Sequence, residues 1–428
     1  MKKLNIAIIG LGNIGSYLFK YLNENKRILT KKNNCMPVVK YVSAKNKKIK
    51  RNIKINKKQW LNNYLDATKI KEIDLIVELI GGAEGPAKKL VFNALKNKKH
   101  VVTANKALIA KYGDHLAKIA EKNKVNLEFE ASVCGGVPII RSLKEGLIAN
   151  KISKIYGIFN GTSNYILSSM DKQNKSFEEV LIDAKKLGYA ETNPAADLNG
   201  DDVASKLKIL SSLCFNSFLN HNIYVEGIKD IDKIDIDYAN KLGFKIKLLG
   251  FSELLDNKIY QRVHPTLIRK DSYVASIDGV LNAVIIDGTP VGQSTIQGEG
   301  AGPSATTSAL VSDISSILRG NIKFPFSISN NERKRLKFEK IDNRSFSAYL
   351  RFEVLDKPGI LSDITNIFSK HKVSIKRLVQ NPDKNRKSSS IIIITHISND
   401  IYLNKIIKEI SKKKYIRKKP KLIRINEN

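Results

Sequence analysis

Cysteine is scarce: the 428 residues contain only Cys35, Cys134 and Cys214, and no two of them form a CxxC pair. So few thiols, in odd number, give no disulfide framework and no thiolate cage for zinc, and they predict a reducing compartment. Long apolar runs are also missing; none approaches the ~18 uninterrupted residues of a membrane-spanning helix. The opening Met1-Lys2-Lys3 and the apolar residues 4–9 imitate a signal peptide. That run is short, ends in a glycine motif and lacks a small-residue cleavage site, so the first strand of a cytoplasmic protein is expected. Acidic side chains are the third shortage: 41 Asp and Glu stand against 74 Lys and Arg, a net charge of +33. Such a charge attracts polyanions without specificity. The lysines, however, are scattered (Lys2, Lys45, Lys98, Lys151, Lys208, Lys270, Lys337, Lys413), and no zinc knuckle or aromatic-rich basic strand accompanies them. Lys, Asn and Ile abound everywhere, as compositional drift produces, so no specific nucleic-acid partner is expected.

What is present is ordinary globular composition, 42% hydrophobic and 27% charged, over a length suited to two or three domains. Apolar runs at 4–9, 38–44, 74–80, 101–103 and 127–130 read as strands, and residues 86–97 and 107–122 as helices. This alternation predicts an α/β domain with a parallel sheet over residues 1–130. From 131 to 318 strand-like runs at 152–159, 245–251, 259–263 and 284–287 mix with longer helical stretches, an α+β substrate and oligomerisation domain. Residues 319–345 are polar, carry the charge run Glu332-Arg333-Lys334-Arg335 and read as a linker; residues 346–428 read strand, helix, strand, strand, helix, strand.

The first strand runs into Gly10-Leu11-Gly12-Asn13-Ile14-Gly15, which opens a helical pattern through Leu18, Phe19 and Leu22. A lone GxGxxG is a weak signal, but between a strand and a helix it is a Rossmann-type dinucleotide turn. Glycines let backbone N–H groups approach a pyrophosphate, and the helix N-terminus adds partial positive charge. The second strand usually ends in a carboxylate that holds a ribose 2′-hydroxyl. Here Val42-Ser43-Ala44 leads into Lys45-Asn46-Lys47-Lys48. Ammonium groups there suit a 2′-phosphate and favour NADP over NAD; a solvated lysine loop is the other reading.

The most informative stretch runs from Ala184 to Lys206. Glu191, Asp197, Asp201 and Asp202 crowd with Lys206 around a loop entering a helix, and Asp202 and Lys206, spaced i, i+4, share one helix face. A carboxylate beside an ammonium positions it and stabilises its charged form. Such an ammonium, aimed at an aldehyde oxygen, can deliver a proton as hydride arrives. Spacing alone would leave an ordinary surface ion pair as the simpler account.

The segment nevertheless resembles the signature of the homoserine dehydrogenases at Ala184, Gly188, Tyr189, Ala190, Asn193, Pro194, Asp197, Leu198, Gly200, Asp202 and Lys206. Thr103-Ala104-Asn105-Lys106 and residues 129–140, 160–167 and 298–306 resemble the same family, so the likeness covers nearly the whole chain. It implies reversible hydride transfer between L-homoserine and L-aspartate 4-semialdehyde, a step toward threonine, methionine and isoleucine. It implies Lys206 as proton donor and acceptor, oriented by Asp202. Glu191 and Asp197 would hold the amino-acid end of the substrate, with Gly161, Thr162 and Tyr189 lining its pocket. Thr103 and Gly302 would border the cofactor, with Gly10, Gly12, Asn13, Ile14, Gly15 and Lys45 at its phosphates and ribose. Lys106 would lie near both cofactor and substrate, and from sequence it remains a second candidate for moving the proton, or a solvated lysine at a helix start. The resemblance also implies a monovalent cation, sodium, at Glu130, Val133, Gly135 and Val137. Residue chemistry alone shows only a tight Gly135-Gly136 turn there, and Cys134 replaces an expected small residue.

Near the C-terminus, residues 349–355 alternate as a strand, turn at Asp356-Lys357-Pro358-Gly359 and enter a helix. With Phe368, Val373-Ser374-Ile375 and Gln380 they resemble the ACT domain, a ferredoxin-like module that binds amino acids between paired copies. Asp356, Gly359, Ile360 and Leu361 would then offer free backbone N–H groups to a ligand carboxylate. The resemblance implies feedback by threonine and a homodimer or homotetramer; a domain serving dimerisation alone is the alternative. No kinase-like segment precedes the dinucleotide turn, so a monofunctional enzyme is expected. Two other functions compete: an amino-acid dehydrogenase acting at the α-amine, and a non-catalytic nucleotide and amino-acid sensor.

Overall fold

The computed structural model describes residues 2–219, 222–382 and 388–426. Its N-terminal part is a five-stranded parallel sheet ordered Met36–Ser43, Lys3–Ile9, Leu75–Glu78, His100–Thr103, Leu127–Glu128. A parallel strand covered on both faces must be apolar throughout. Lys3–Ile9 meets this by sending Ile6 and Ile8 to one core and Ala7 and Ile9 to the other. Helix Asn13–Glu24 covers the first face, and helix Pro303–Leu318, from far along the chain, packs beside it through Leu310 and Ile314. Strand order reverses at Lys3–Ile9, so the crevice past its C-terminal end is where a ligand of an open α/β sheet sits.

A second, mixed sheet runs Gly292–Glu299, Leu281–Thr289, Lys151–Ile158, Phe244–Leu255, Lys258–Arg269, Lys421–Asn426, Ser345–Leu355, Ser388–Thr395, Ile375–Pro382. Helices Gly161–Gln173 and Asp201–Cys214 pack on its first half. The last four strands, with helices Ile360–Lys370 and Asp400–Ile410, form the ferredoxin-like βαββαβ unit. The two halves are one hydrogen-bonded sheet, because Arg424, Ile425 and Asn426 pair in parallel with Thr266, Leu267 and Ile268.

Several local expectations change. The strand expected over 127–130 stops at Glu128, and Glu130 begins a short helical turn. The segment 319–345, expected as a polar linker, is partly packed: Lys337–Glu339 pairs with Lys258–Tyr260, and Phe326 is fully buried. Arg333 within the charge run is buried because it finds Asp114 at 2.7 Å, Ser212 Oγ at 2.7 Å and the face of Phe326. Among the described residues no helix is long and apolar enough to cross a membrane.

Candidate active site

The candidate site forms where helix Lys106–Asn123, which follows strand His100–Thr103, meets helix Asp201–Cys214. Asp202 sits in that helix's first turn and is buried. Its Oδ2 lies 2.8 Å from Lys206 Nζ, one turn along, and its Oδ1 lies 2.8 Å from Lys106 Nζ, which reaches across from the first turn after strand His100–Thr103. One carboxylate therefore serves two amines from two parts of the fold. Lys206 also donates to the Phe159 carbonyl at 2.6 Å. Burial alone would lower the Lys206 ammonium, but the Asp202 charge overcomes it and the net shift is upward. For Asp202 burial works the other way, and Lys206 and Lys106 together hold its carboxyl well below the usual range.

Asn160, inside a stretch that carried the resemblance but given no role there, organises the acids. Its side-chain carbonyl caps helix Gly161–Gln173 at Ser163 N, and its amide donates to Asp197 Oδ1 at 2.7 Å and Asp202 Oδ2 at 2.8 Å. Burial and the neighbouring Asp202 push the Asp197 carboxyl up. Thr162 Oγ1 donates to the Tyr189 carbonyl at 2.7 Å, and the Tyr189 ring lies 4.9 Å from Tyr165. Gly161 is needed where it stands, since a Cβ would lie 2.7 Å from the Val280 carbonyl oxygen. Glu191 lies exposed on the loop before Asp197.

At the glycine turn, a Cβ on Gly10 would meet the Leu79 carbonyl oxygen at 2.4 Å, and one on Gly15 the Gly10 oxygen at 2.1 Å. A Cβ on Gly12 would meet nothing within 4 Å, and Gly12 caps helix Asn13–Glu24 with no side chain on its N–H groups. Asn13 and Ile14 form that helix's first turn, so the cradle is open for a dinucleotide phosphate. Lys45 is exposed past the second strand; the side chain that reaches the turn is Arg51, donating to the Leu11 carbonyl at 2.8 Å. On the other side of the crevice, buried Glu78 accepts from the Thr103 hydroxyl at 2.5 Å and from the N–H of Ile80 at 2.8 Å. Sequence reasoning missed Arg51 and Glu78, whose partners Leu11 and Thr103 lie 40 and 25 positions away in the chain. Gly302, with φ +108°, starts helix Pro303–Leu318.

The 130–137 loop abuts the 298–302 turn: Gly136 N donates to the Glu299 carbonyl at 2.9 Å, and a Cβ on Gly135 would meet the Gly300 oxygen at 2.6 Å. Both Glu130 carboxylate oxygens accept backbone N–H groups, from Ile140 at 2.8 Å and Arg141 at 2.6 Å. Burial pushes that carboxyl up to about 7 against those two bonds. The carbonyl of Val137 accepts from Ile139 N, whereas those of Val133 and Gly135 take up no backbone N–H among the described residues. No trio of His, Cys, Asp or Glu is placed to hold a metal among them either. A cation here would therefore rest on carbonyl oxygens, which suits a hard monovalent ion and no transition metal. In the C-terminal unit, Gly359, with φ +86°, starts helix Ile360–Lys370; Ile360 is buried, Leu361 and Asp356 half-buried.

Two amines sharing one buried carboxylate near an open dinucleotide turn suit a dehydrogenase, and comparison with known proteins decides which. Residues 138–315 match the homoserine dehydrogenase family, 10–130 the homoserine dehydrogenase NAD-binding domain and 348–414 the ACT domain. The chain belongs to the homoserine dehydrogenase family. It is 36% identical to the homoserine dehydrogenase of Neisseria gonorrhoeae, over 99% of each chain. It is 33% identical to that of Bacillus subtilis, over 100% of this chain and 99% of the other. The crystal structure of a homoserine dehydrogenase from Thiobacillus denitrificans superposes with a TM-score of 0.90 at 36% identity, covering 100% of this chain and 99% of that one. A hyperthermophilic archaeal homoserine dehydrogenase in complex with NADPH shares the fold, at 23% identity and a TM-score of 0.60, over 78% of this chain and 100% of that one.

Proposed function

We propose that the chain interconverts L-aspartate 4-semialdehyde and L-homoserine with Lys206 as the proton donor. The observation that carries this reading is the Asp202 carboxylate held 2.8 Å from both Lys206 and Lys106 beside the nucleotide crevice. Bound NAD(P)H supplies the hydride to the aldehyde carbon. Asp202 keeps Lys206 protonated, and as the new C–H bond forms an N–H of Lys206 passes its proton to the aldehyde oxygen, leaving a neutral amine and an alcohol. In reverse, the neutral amine takes the hydroxyl proton. Lys206 is favoured over Lys106 because it is anchored by two acceptors in a buried setting, whereas the Lys106 side chain is 45% exposed. Lys106 then orients substrate and cofactor. Asp197 and Glu191 accept from the substrate ammonium, with Gly161, Thr162 and Tyr189 as pocket wall. Gly10, Gly12, Asn13, Ile14, Gly15, Thr103 and Gly302 cradle the dinucleotide.

NADP is the cofactor favoured, on the lysines from Lys45 onward and the missing carboxylate at the second strand's end. The archaeal relative's complex with NADPH is consistent with this. A sodium ion at the 130–137 loop is supported by the carbonyls of Val133 and Gly135; those of Glu130 and Val137, which accept from Val133 N and Ile139 N, would contribute through their second lone pairs. Threonine at the Asp356, Gly359, Ile360 and Leu361 loop of a paired ACT unit would act as feedback inhibitor of a dimer or tetramer.

The test is semialdehyde-dependent NADPH oxidation, abolished in Lys206→Ala while NADPH binding persists. If Lys206→Ala turns over normally or loses NADPH instead, the assignment of Lys206 is wrong. Activity unchanged by millimolar threonine removes the regulatory reading, and equal rates in sodium and choline salts remove the cation.

A further inference from the structure

We propose that the cavity around Arg262 binds a small anion bearing a carboxylate or phosphate group. The cavity, of about 440 Å³, opens where the shared sheet passes from the catalytic strands to the ACT strands, and Phe251, Tyr260, Arg262, Arg344 and Phe346 line it. Arg262 comes from strand Lys258–Arg269 and is 7% exposed. Its guanidinium carbon lies over three rings, 4.4 Å from the centre of Phe346, 4.5 Å from that of Phe251 and 5.5 Å from that of Tyr260. One N–H donates to the Tyr260 hydroxyl at 3.2 Å.

The other cations of this region are each matched. Arg344 pairs with Glu253, Lys154 with Asp287 at 2.7 Å, and Arg424 with Asp400 at 2.6 Å and Glu226 at 3.1 Å. Among the described residues no carboxylate pairs with Arg262. A guanidinium does not shed its proton, so this charge persists at any working pH. Burying an unmatched charge is costly, and the nearby arginines add to the cost. The ring faces attract the cation but take none of its in-plane N–H groups, of which only the one on Tyr260 has an acceptor among the described residues. The donors of a guanidinium lie in its plane as a fork, the geometry that takes a carboxylate or phosphate through two parallel hydrogen bonds. Glu253, which also lines the cavity, is engaged by Arg344 and so repels an incoming anion little.

The test is calorimetric titration of the full chain with acetate and, separately, with inorganic phosphate. NADPH is kept saturating so that the dinucleotide site cannot take the anion, and chloride holds ionic strength constant. Saturable binding is expected, with one probe preferred, which identifies the group. Arg262→Met should weaken it by at least about tenfold, since charge-assisted hydrogen bonds are lost, with NADPH affinity unchanged. Arg262→Lys keeps the charge but not the fork, should fold if the methionine variant does not, and should weaken binding likewise. No saturable binding of either probe overturns the proposal, as does equal affinity in both variants. So does a wild-type chain that binds neither probe while Arg262→Met dissociates the oligomer, which would assign Arg262 to a carboxylate of a second copy.

Discussion

Two ion clusters in this molecule, each built around a buried side chain, have opposite arithmetic. At the cleft, two amines share the single carboxylate of Asp202. At the junction of the catalytic and ACT strands, two guanidinium groups each gather more than one carboxylate. Arg351 takes Asp232 at 2.9 Å, Asp235 at 2.7 Å and Glu353 at 3.1 Å; Arg424 takes Asp400 and Glu226. Burial would lower both guanidinium groups, yet the surrounding carboxylates push them further up. A guanidinium so placed never gives up its proton, so the junction holds parts together and does no acid–base work. The lysine pair is made of groups that can release a proton, and one carboxylate between them orders the charge without exhausting it.

That contrast can be broken from either side. Lys206→Met should lower semialdehyde reduction by about 10³-fold, the scale of a lost general acid. Asp202 would remain paired with Lys106, so the melting temperature should barely move; a large fall in both would make Lys206 structural. Arg424→Met should do the reverse, costing about 3–5 kcal/mol in thermal or denaturant unfolding because Asp400 is left buried without its partner, while the Michaelis constants of the folded fraction hold. Asp202→Asn should slow reduction by about 10²-fold and change its pH dependence. In the wild type the raised Lys206 pKa keeps the donor protonated, so rate is lost only as pH climbs past that raised value. Without Asp202, burial prevails and lowers the amine, and the basic limb should move down by at least about one pH unit. An unmoved limb would mean that another group donates. The smallest effect is expected at Gly12→Ala, whose methyl group meets no protein atom within 4 Å. Stability should change by no more than about 1 kcal/mol, while the Michaelis constant for NADPH rises about tenfold as the methyl blocks the pyrophosphate.

What the sequence reveals is mostly local. Asp202 and Lys206 are one helical turn apart, and the glycine turn sits directly between its strand and helix, so spacing already implies neighbourhood. What it hides is long-range. Asn160 reaches Asp202 across 42 positions, and Arg51 reaches Leu11 across 40, each with no repeat or period to announce it. Glu130 lies in a helical turn past the strand instead of extending it, and its carboxylate is claimed by N–H groups ten and eleven residues later. The run around Arg333 looks solvated because its composition is charged, yet Asp114 and Phe326 provide a buried seat that only the fold assembles. The pairing of Lys421–Asn426 with Lys258–Arg269 is likewise invisible, since nothing in either strand's own residues names its neighbour.

That last pairing matters to anyone who would cut the molecule in two. Ending the chain before Ser345 would strip strand Lys258–Arg269 of the neighbour at Thr266, Leu267 and Ile268, leaving bare amides and carbonyls along a raw margin. Tyr224 and Glu226 would lose Arg424 in the same stroke. A shortened enzyme should therefore clump before it can report whether it has escaped control, and a fair comparison demands point changes within the intact ribbon.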